Sequence, residues 1–246
     1  MTTVAQERGQ WQVFDTAEML ADHAARWLCE LACRSMERFA VCLSGGSTPQ
    51  RLYQRLSGEA CLARFPWDRV HWFWGDERFV PHNDARSNFR MARDAFLSRV
   101  PVRDDCVHPI PTQGLSAEQA AAAYENELQT FYGTRQLDGS RPLFDVTFLG
   151  VGEDGHTASL FPGSPALHEN RRWAVAVSRQ AQETRITVTY PVLDSSRNVV
   201  FLATGADKTR ILASIRGGDA EAPAARVRPA GRLWWFLDRA AMPDLV

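Results

Sequence analysis

The sequence predicts one α/β domain over residues 1–246, built on a mainly parallel sheet with helices on both faces. Short apolar runs typical of buried strands alternate along the chain with amphipathic segments typical of helices. The length suits one substantial hydrophobic core. No internal repeat, low-complexity tract or linker divides the chain.

The strands are predicted from short apolar runs, because strands covered on both faces lack the alternation of half-exposed ones. These runs are FAVCLS (39–44), RVHWFWGDERF (69–79), LFDVTFLG (143–150), WAVAV (173–177), RITVTY (185–190), NVVFLAT (198–204) and RLWWFL (232–237).

Helices are predicted from apolar residues spaced three and four apart and from residues that favour helix starts. The first runs from Asp15 to about residue 39, with Asp15 as N-cap and Glu18 three residues later, as in a capping box. Thr48 as N-cap and Pro49 at the first helical position mark the second. The others are predicted at 87–100 with Ser87 as cap, 116–132, 191–196 and 207–216.

The composition limits the kinds of partner that the protein is expected to bind. The formal net charge is −1 with both signs mixed along the chain, which does not favour nucleic-acid or membrane-surface binding. No apolar run reaches the length of a membrane span, and MTTVAQERGQ at the N-terminus lacks a signal-peptide core. Cys29 and Cys33 lie one helical turn apart, which could suit a metal, but we favour two small core residues. We expect reduced cysteines and a cytoplasmic location.

One glycine-rich segment, GVGEDG (150–155), matches the G-x-G-x-x-G pattern and follows an apolar run. A dinucleotide site needs a long helix after the glycines and an acidic residue ending the next strand. Here HTASL leads directly into FPGSP, and Glu169 precedes the next strand. We therefore expect the glycines to let backbone pass close to a ligand and to hold His156 near it.

A second glycine-rich segment, SGGST (44–48), lies between a predicted strand and a predicted helix start. Free backbone N–H groups and the helix dipole at such a place suit a phosphate, although a merely tight turn is the alternative. Lys208 follows another strand and would add a positive charge. Because ligands gather at the carboxyl ends of parallel strands, we expect these loops, GDER (75–78) and residues 150–156 to meet at one edge.

Other reaction classes lack their sequence patterns. The chain has no G-x-S-x-G nucleophile turn and no H-E-x-x-H zinc motif. His82, His108 and His168 have no metal-ligand spacing. His156 differs because Asp154 precedes it by two residues, and an acidic neighbour can orient an imidazole and keep it basic.

Six segments together resemble the 6-phosphogluconolactonases of the sugar-phosphate isomerase-like α/β fold. They are LSGGSTPQRLY (43–53), WFWGDERFVPHNDARSNFRMA (72–92), FDVTFLGVGEDGHTASLFPGS (144–164), RITVTYPVL (185–193), VVFLATGADKTRIL (199–212) and PA…GRLWWFLDRAA (223–241). The resemblance implies hydrolysis of 6-phospho-D-glucono-1,5-lactone without a metal or other cofactor. We expect a phosphorylated sugar lactone as the small-molecule partner, no nucleic-acid or membrane partner, and a monomer or weak dimer.

The resemblance also implies roles for particular residues. His156 would be the base that activates water, and Asp154 would orient it. Arg78 would stabilise developing negative charge. The expected substrate-binding residues are Gly45, Gly46, Ser47, Asp76, Asn88, Gly155, Arg185 and Lys208, with the GGS turn and Lys208 holding the phosphate and Arg185 assisting.

Two other functions stay open from the sequence. A glucosamine-6-phosphate deaminase shares the glycine-serine loop and would use Asp76 as its base. However, Arg78 stands where that family usually has an aromatic residue, and SLFPGS replaces its glutamate-bearing segment. A non-catalytic sugar-phosphate sensor is the other, although such proteins usually carry a DNA-binding domain, and no basic helix-turn-helix segment is evident.

Overall fold

The structure is a computed structural model that describes residues 9–178 and 183–243. Within these ranges the strands are β1 Gln10–Phe14, β2 Phe39–Leu43, β3 Val70–Trp74, β4 Asp76–Arg78, β5 Val107–His108, β6 Val146–Leu149, β7 Ala174–Val177, β8 Arg185–Val188, β9 Asn198–Ala203 and β10 Arg232–Asp238. The α-helices are α1 Ala17–Arg34, α2 Ser47–Leu56, α3 Glu59–Leu62, α4 Asn88–Ala95, α5 Ala117–Tyr132, α6 Tyr190–Asp194 and α7 Thr209–Arg216. No helix in the described ranges is long and apolar enough to cross a bilayer.

The main sheet has seven strands in the order β1-β10-β9-β6-β2-β3-β5, and every neighbouring pair is parallel. The predicted mainly parallel α/β sheet is therefore confirmed. The central strands are buried along their whole length, which explains their continuous apolar sequences. The edge strand β1 was not predicted, because none of its residues is fully buried and two of its five residues are glutamines.

A smaller antiparallel sheet, in the order β4-β8-β7, lies beside the main one. The prediction of one strand over residues 69–79 was wrong, because the chain leaves the main sheet at Gly75. The Gly75 N–H donates to the Leu43 carbonyl at 2.8 Å, and its carbonyl accepts from the Val188 N–H at 2.9 Å. Gly75 thus joins the two sheets and directs the following residues, Asp76 to Arg78, into the smaller one.

Two of the predicted helix starts were wrong by one or two residues. The N-cap of α1 is Thr16, whose hydroxyl accepts from the Met19 N–H, and Asp15 instead pairs with Arg239. Helix α2 begins at Ser47 with Gly46 as its N-cap, so Thr48 lies inside the first turn.

The predicted cap of α4 was right, and α5 begins at a cap that was not predicted. Ser87 caps α4, and Ser116 forms a capping box with Gln119 at the start of α5. Helix α4 ends at Ala95, earlier than the predicted residue 100, because a separate 3₁₀ turn follows at Leu97–Arg99.

Two buried tyrosines fix the ends of the strands nearest the glycine-serine loop. The Tyr53 hydroxyl donates to the Ser44 carbonyl and accepts from the Ser44 N–H, both at 2.9 Å. Tyr124 bonds the Trp74 backbone in the same way. Backbone groups at the carboxyl ends of β2 and β3 are therefore satisfied by core side chains, which holds the loops beyond them in place.

All five cysteines are free. Cys29 is buried in the core and Cys33 is partly buried, as the core reading of this pair predicts.

Candidate active site

A cavity of about 280 Å³ lies at the carboxyl ends of β2, β6 and β9, where the small sheet meets the large one. Its volume lies just below the usual range for ligand pockets, which begins at about 300 Å³. Nine of the eleven residues singled out from the sequence line it; they are Gly45, Gly46, Ser47, Asp76, Arg78, Asn88, His156, Arg185 and Lys208. Asp154 and Gly155 lie outside the lining.

Asp154 lies against the His156 ring. Its Oδ1 is 2.5 Å from His156 Nδ1 and also accepts the His156 backbone N–H at 3.1 Å. A proton on Nδ1 is therefore directed at the carboxylate, which leaves Nε2 with its lone pair. The Phe161 ring packs against the imidazole, with centroids 4.7 Å apart. The histidine ring is thus held on two sides, by the Asp154 carboxylate and by the Phe161 ring.

Two glycines make room for functional side chains. A Cβ on Gly152 would lie 2.1 Å from His156 Nδ1, and one on Gly45 would lie 2.0 Å from Asn88 Oδ1. Neither position accepts a side chain unless its neighbour moves. Gly155 has a different part: its carbonyl accepts from the Ala224 N–H at 2.9 Å, which anchors the histidine loop to the segment after α7.

The N-terminus of α2 forms one end of the cavity. Gly45, Gly46 and Ser47 precede or begin this ten-residue helix, which has no side-chain cap. The Thr48 hydroxyl bonds the Thr204 hydroxyl at 2.7 Å and so ties this turn to the end of β9. Lys208 lies beyond β9 with Nζ 3.0 Å from Asp207 Oδ2, and that hydrogen bond lowers the pKa of Asp207. The first turn of α2 and Lys208 therefore both line the cavity.

Arg78 and Arg185 form another wall. They are directly opposite each other in the β4–β8 ladder, where side chains project to the same face. Arg78 Nη1 donates to Asn88 Oδ1 at 3.0 Å and to the Arg86 carbonyl at 2.7 Å. Arg185 Nη1 is 3.9 Å from Asp76 Oδ2. These two guanidinium groups place positive charge on one wall of the cavity, which suits a negatively charged ligand.

Asp76 is buried and joins three of these elements. Its Oδ2 accepts from the Ser159 hydroxyl at 2.6 Å, and its Oδ1 is 3.4 Å from Asn88 Nδ2. The Asn88 amide also donates to the Asp76 carbonyl at 2.9 Å. Asp76 thus links the small sheet to α4 and to the histidine loop.

Sequence reasoning missed Glu77 and Ser159. The buried Glu77 carboxylate accepts from the backbone N–H groups of Arg78, Asn88 and Phe89 and from the Ser87 hydroxyl, at 2.7 to 2.9 Å. Burial raises the pKa of Glu77, while these hydrogen bonds act in the opposite direction. Glu77 stands eleven residues before the first residue of α4, so no local helix-start signal marked it. Nothing local signals Ser159, whose partner lies 83 residues away.

Comparison with known proteins places the chain among proteins with the same fold. The profile of the family described as "Glucosamine-6-phosphate isomerases/6-phosphogluconolactonase" matches residues 15–235. A 6-phosphogluconolactonase of Synechocystis sp. is 43% identical over 208 residues, covering 83% of this chain and 84% of that protein. A chloroplastic 6-phosphogluconolactonase 3 of Arabidopsis thaliana is 36% identical over 250 residues, covering 98% and 76% of the two chains.

Comparison with solved structures gives the same result as comparison of sequences. The 6-phosphogluconolactonase of Trypanosoma cruzi superposes with a TM-score of 0.85 at 29% identity, over 98% of both chains. That of Trypanosoma brucei gives 0.80 at 31% identity, over 96% of this chain and 98% of the other. The extent of these matches confirms the resemblance drawn from the sequence motifs. The chain therefore belongs to the family of glucosamine-6-phosphate isomerases and 6-phosphogluconolactonases.

Proposed function

We propose that this chain hydrolyses 6-phospho-D-glucono-1,5-lactone to 6-phospho-D-gluconate, the reaction after which the relatives described above are named. One observation carries the proposal: an imidazole held by a carboxylate lines the same small cavity as an arginine pair and a helix N-terminus. A base, an anion-stabilising group and a phosphate anchor are the parts that hydrolysis of a phosphorylated cyclic ester needs.

The phosphate is assigned to the GGS turn and Lys208. The backbone N–H groups at the start of α2 have no intrahelical acceptors, and the helix dipole favours an anion there. Lys208 adds a full positive charge, and Arg185 assists from the small sheet. Binding at this remote group positions the lactone carbonyl relative to the histidine.

His156 is assigned as the general base. Its Nε2 accepts a proton from water as the water oxygen bonds to the lactone carbonyl carbon, giving a tetrahedral oxyanion. Collapse of that intermediate breaks the bond between the carbonyl carbon and the ring oxygen, and the imidazolium returns its proton to the departing oxygen. The new carboxylic acid then ionises in solution. Asp154 orients the ring and stabilises the imidazolium while it exists.

Arg78 is assigned to the carbonyl oxygen. Its guanidinium is fixed by Asn88 and by the Arg86 carbonyl, so it needs little reorganisation as charge develops. Asp76 is proposed to bind and position rather than to abstract protons. One of its oxygens accepts from the Ser159 hydroxyl and the other faces the Asn88 amide. This occupancy disfavours a deaminase mechanism in which Asp76 is the base.

The test is direct. The lactone is generated with a dehydrogenase acting on the sugar phosphate, and proton release is followed with wild type and His156→Ala. We expect the variant to lose at least about a hundredfold in rate, while the exposed His168→Ala serves as a matched control with unchanged rate. A chelator should have no effect. Acceleration that survives in His156→Ala would reject the base assignment, and ammonia release from glucosamine 6-phosphate would favour the deaminase instead.

Other expectations remain proposals. We propose that the chain works in the cytoplasm as a monomer or weak dimer, without nucleic-acid partners. We also propose that residues 1–246 form one domain. Fractionation, sedimentation and limited proteolysis would test these in turn.

A further inference from the structure

A second cavity lies at the opposite end of the main sheet. It measures about 420 Å³, more than the cavity around His156. Arg38, Asp145 and Arg197 line it, and each directly precedes one of the adjacent central strands β2, β6 and β9. The same three strands carry the glycine-serine loop, the histidine loop and Thr204 at their other ends. This second cavity therefore lies a full strand length from the proposed catalytic site and has no part in it.

Three guanidinium groups line this cavity, from Arg38, Arg141 and Arg197. The acidic lining residues are Glu37 and Asp145, so the lining carries one net positive charge. Asp145 is already engaged: its Oδ1 is 3.1 Å from Arg197 Nε and its Oδ2 accepts the Ala40 N–H at 2.9 Å. Within residues 9–178 and 183–243, neither Arg38 nor Arg141 forms an ion pair.

The two unpaired guanidiniums are held in place by aromatic rings. Arg38 lies over the Phe131 ring at 4.4 Å and Arg141 over the Tyr132 ring at 4.1 Å. The Tyr132 hydroxyl donates to the Arg141 carbonyl at 2.6 Å, which also fixes the backbone at that position. Cation–π contacts orient a guanidinium without using its N–H donors. Both arginines can therefore donate to a ligand from prepared positions.

We propose that this cavity, which we call the arginine cavity, binds a small organic phosphate ester. Guanidinium groups match phosphate oxygens through paired hydrogen bonds, and a phosphate offers enough acceptors for more than one arginine. Apolar atoms of Phe131, Pro142 and Leu143 also line the cavity and can contact the organic part of the ligand. Neither feature is used in the reaction proposed above, so the site is separate from it.

Calorimetric titration with ADP and with pyrophosphate tests the proposal, because the first carries an organic group and the second the anion alone. The titration uses the full chain, as wild type and as Lys208→Ala, so that ADP bound in the proposed catalytic cavity is recognised because its binding weakens in that variant. We expect saturable binding of ADP with one site per chain. Weaker binding of pyrophosphate would show that the organic part contributes.

Variants locate the site. Arg38→Gln and Arg141→Gln should each weaken binding by at least about tenfold, as expected for loss of charge-assisted hydrogen bonds, with lactone hydrolysis unchanged. Arg99→Gln, an exposed arginine outside the cavity, is the matched control. Asp145→Asn should strengthen binding by about two- to fivefold, because it removes the charge that competes for Arg197.

The opposite signs of these effects separate a ligand site from a general loss of stability. Absence of saturable binding to either probe would overturn the proposal. So would binding that is unchanged in both arginine variants, or binding that weakens in Asp145→Asn.

Discussion

Replacement of Gly152 by alanine tests whether the position of the His156 ring matters for catalysis. An added Cβ would lie 2.1 Å from His156 Nδ1, 2.2 Å from Cε1 and 2.7 Å from Asp154 Oδ1. Ordinary contact to a Cβ begins at 3.4 Å. The ring therefore has to move by more than 1 Å, and its short hydrogen bond to Asp154 must lengthen or break.

The expected loss follows from that displacement. Misplacement of a catalytic group by about 1 Å costs on the order of a hundredfold in rate. We therefore expect kcat for lactone hydrolysis to fall by about a hundredfold in Gly152→Ala. The crowding should also destabilise the fold, by about 1 to 3 kcal/mol in the free energy of unfolding. This cost is small enough to leave the protein folded at 25 °C if its stability is ordinary.

The assay combines proton-release kinetics with urea unfolding, so that a lost rate is not mistaken for lost protein. Gly139→Ala is the control, because a Cβ there meets nothing within 4 Å and the residue lies outside the cavity. We expect this control to keep wild-type activity. A Gly152→Ala variant that keeps wild-type kcat would refute the argument that catalysis depends on the position of the His156 ring.

Three further predictions concern the proposed phosphate-binding Lys208, the buried carboxylate of Glu77 and the pH dependence of stability that arises from Asp194. Lys208→Ala should lower kcat/KM for the phosphorylated lactone by about tenfold or more. For unphosphorylated glucono-1,5-lactone, the variant and wild type should have the same kcat/KM. Glu77→Gln should lower the free energy of unfolding by about 2 to 3 kcal/mol, because an amide cannot accept all four hydrogen bonds; an unchanged urea midpoint would contradict this. Burial raises the pKa of Asp194 to about 6 from an ordinary value of 3.8, so the folded state holds that proton more strongly than the unfolded state. The free energy of unfolding should therefore fall as pH rises from 4 to 6, by at most about 3 kcal/mol from this group, and Asp194→Asn should flatten that change in urea titrations; equal pH dependence in the two proteins would refute the assignment.

The parallel sheet could be predicted because fully buried strands leave continuous apolar runs in the sequence. The loops around His156 and Ser47 could be predicted to meet because ligand-binding loops gather at the carboxyl ends of such strands. The small antiparallel sheet could not be foreseen. Arg78 and Arg185 are paired across more than a hundred residues of chain, and strand partners of this kind leave no mark on local composition.

Helix starts were also predicted wrongly where two nearby residues could each serve as the N-cap. Asp15 and Thr16 can both cap a helix, and the sequence does not show that Asp15 pairs with Arg239. Thr48 and Gly46 present the same ambiguity at the start of α2. There the outcome bears on function, because a glycine cap without a side chain leaves the first-turn amides free, while Thr48 bonds Thr204.

The facing arginines of the small sheet have a consequence for the end of the reaction. The lactone carbonyl is neutral when it enters, but the acid it becomes leaves as an anion, so two fixed cations attract the product more strongly than the reactant. Departure of the product must then overcome an attraction that capture of the substrate did not require. Dissolved salt weakens such an attraction, and an enzyme limited by this step would turn over faster as ionic strength rises.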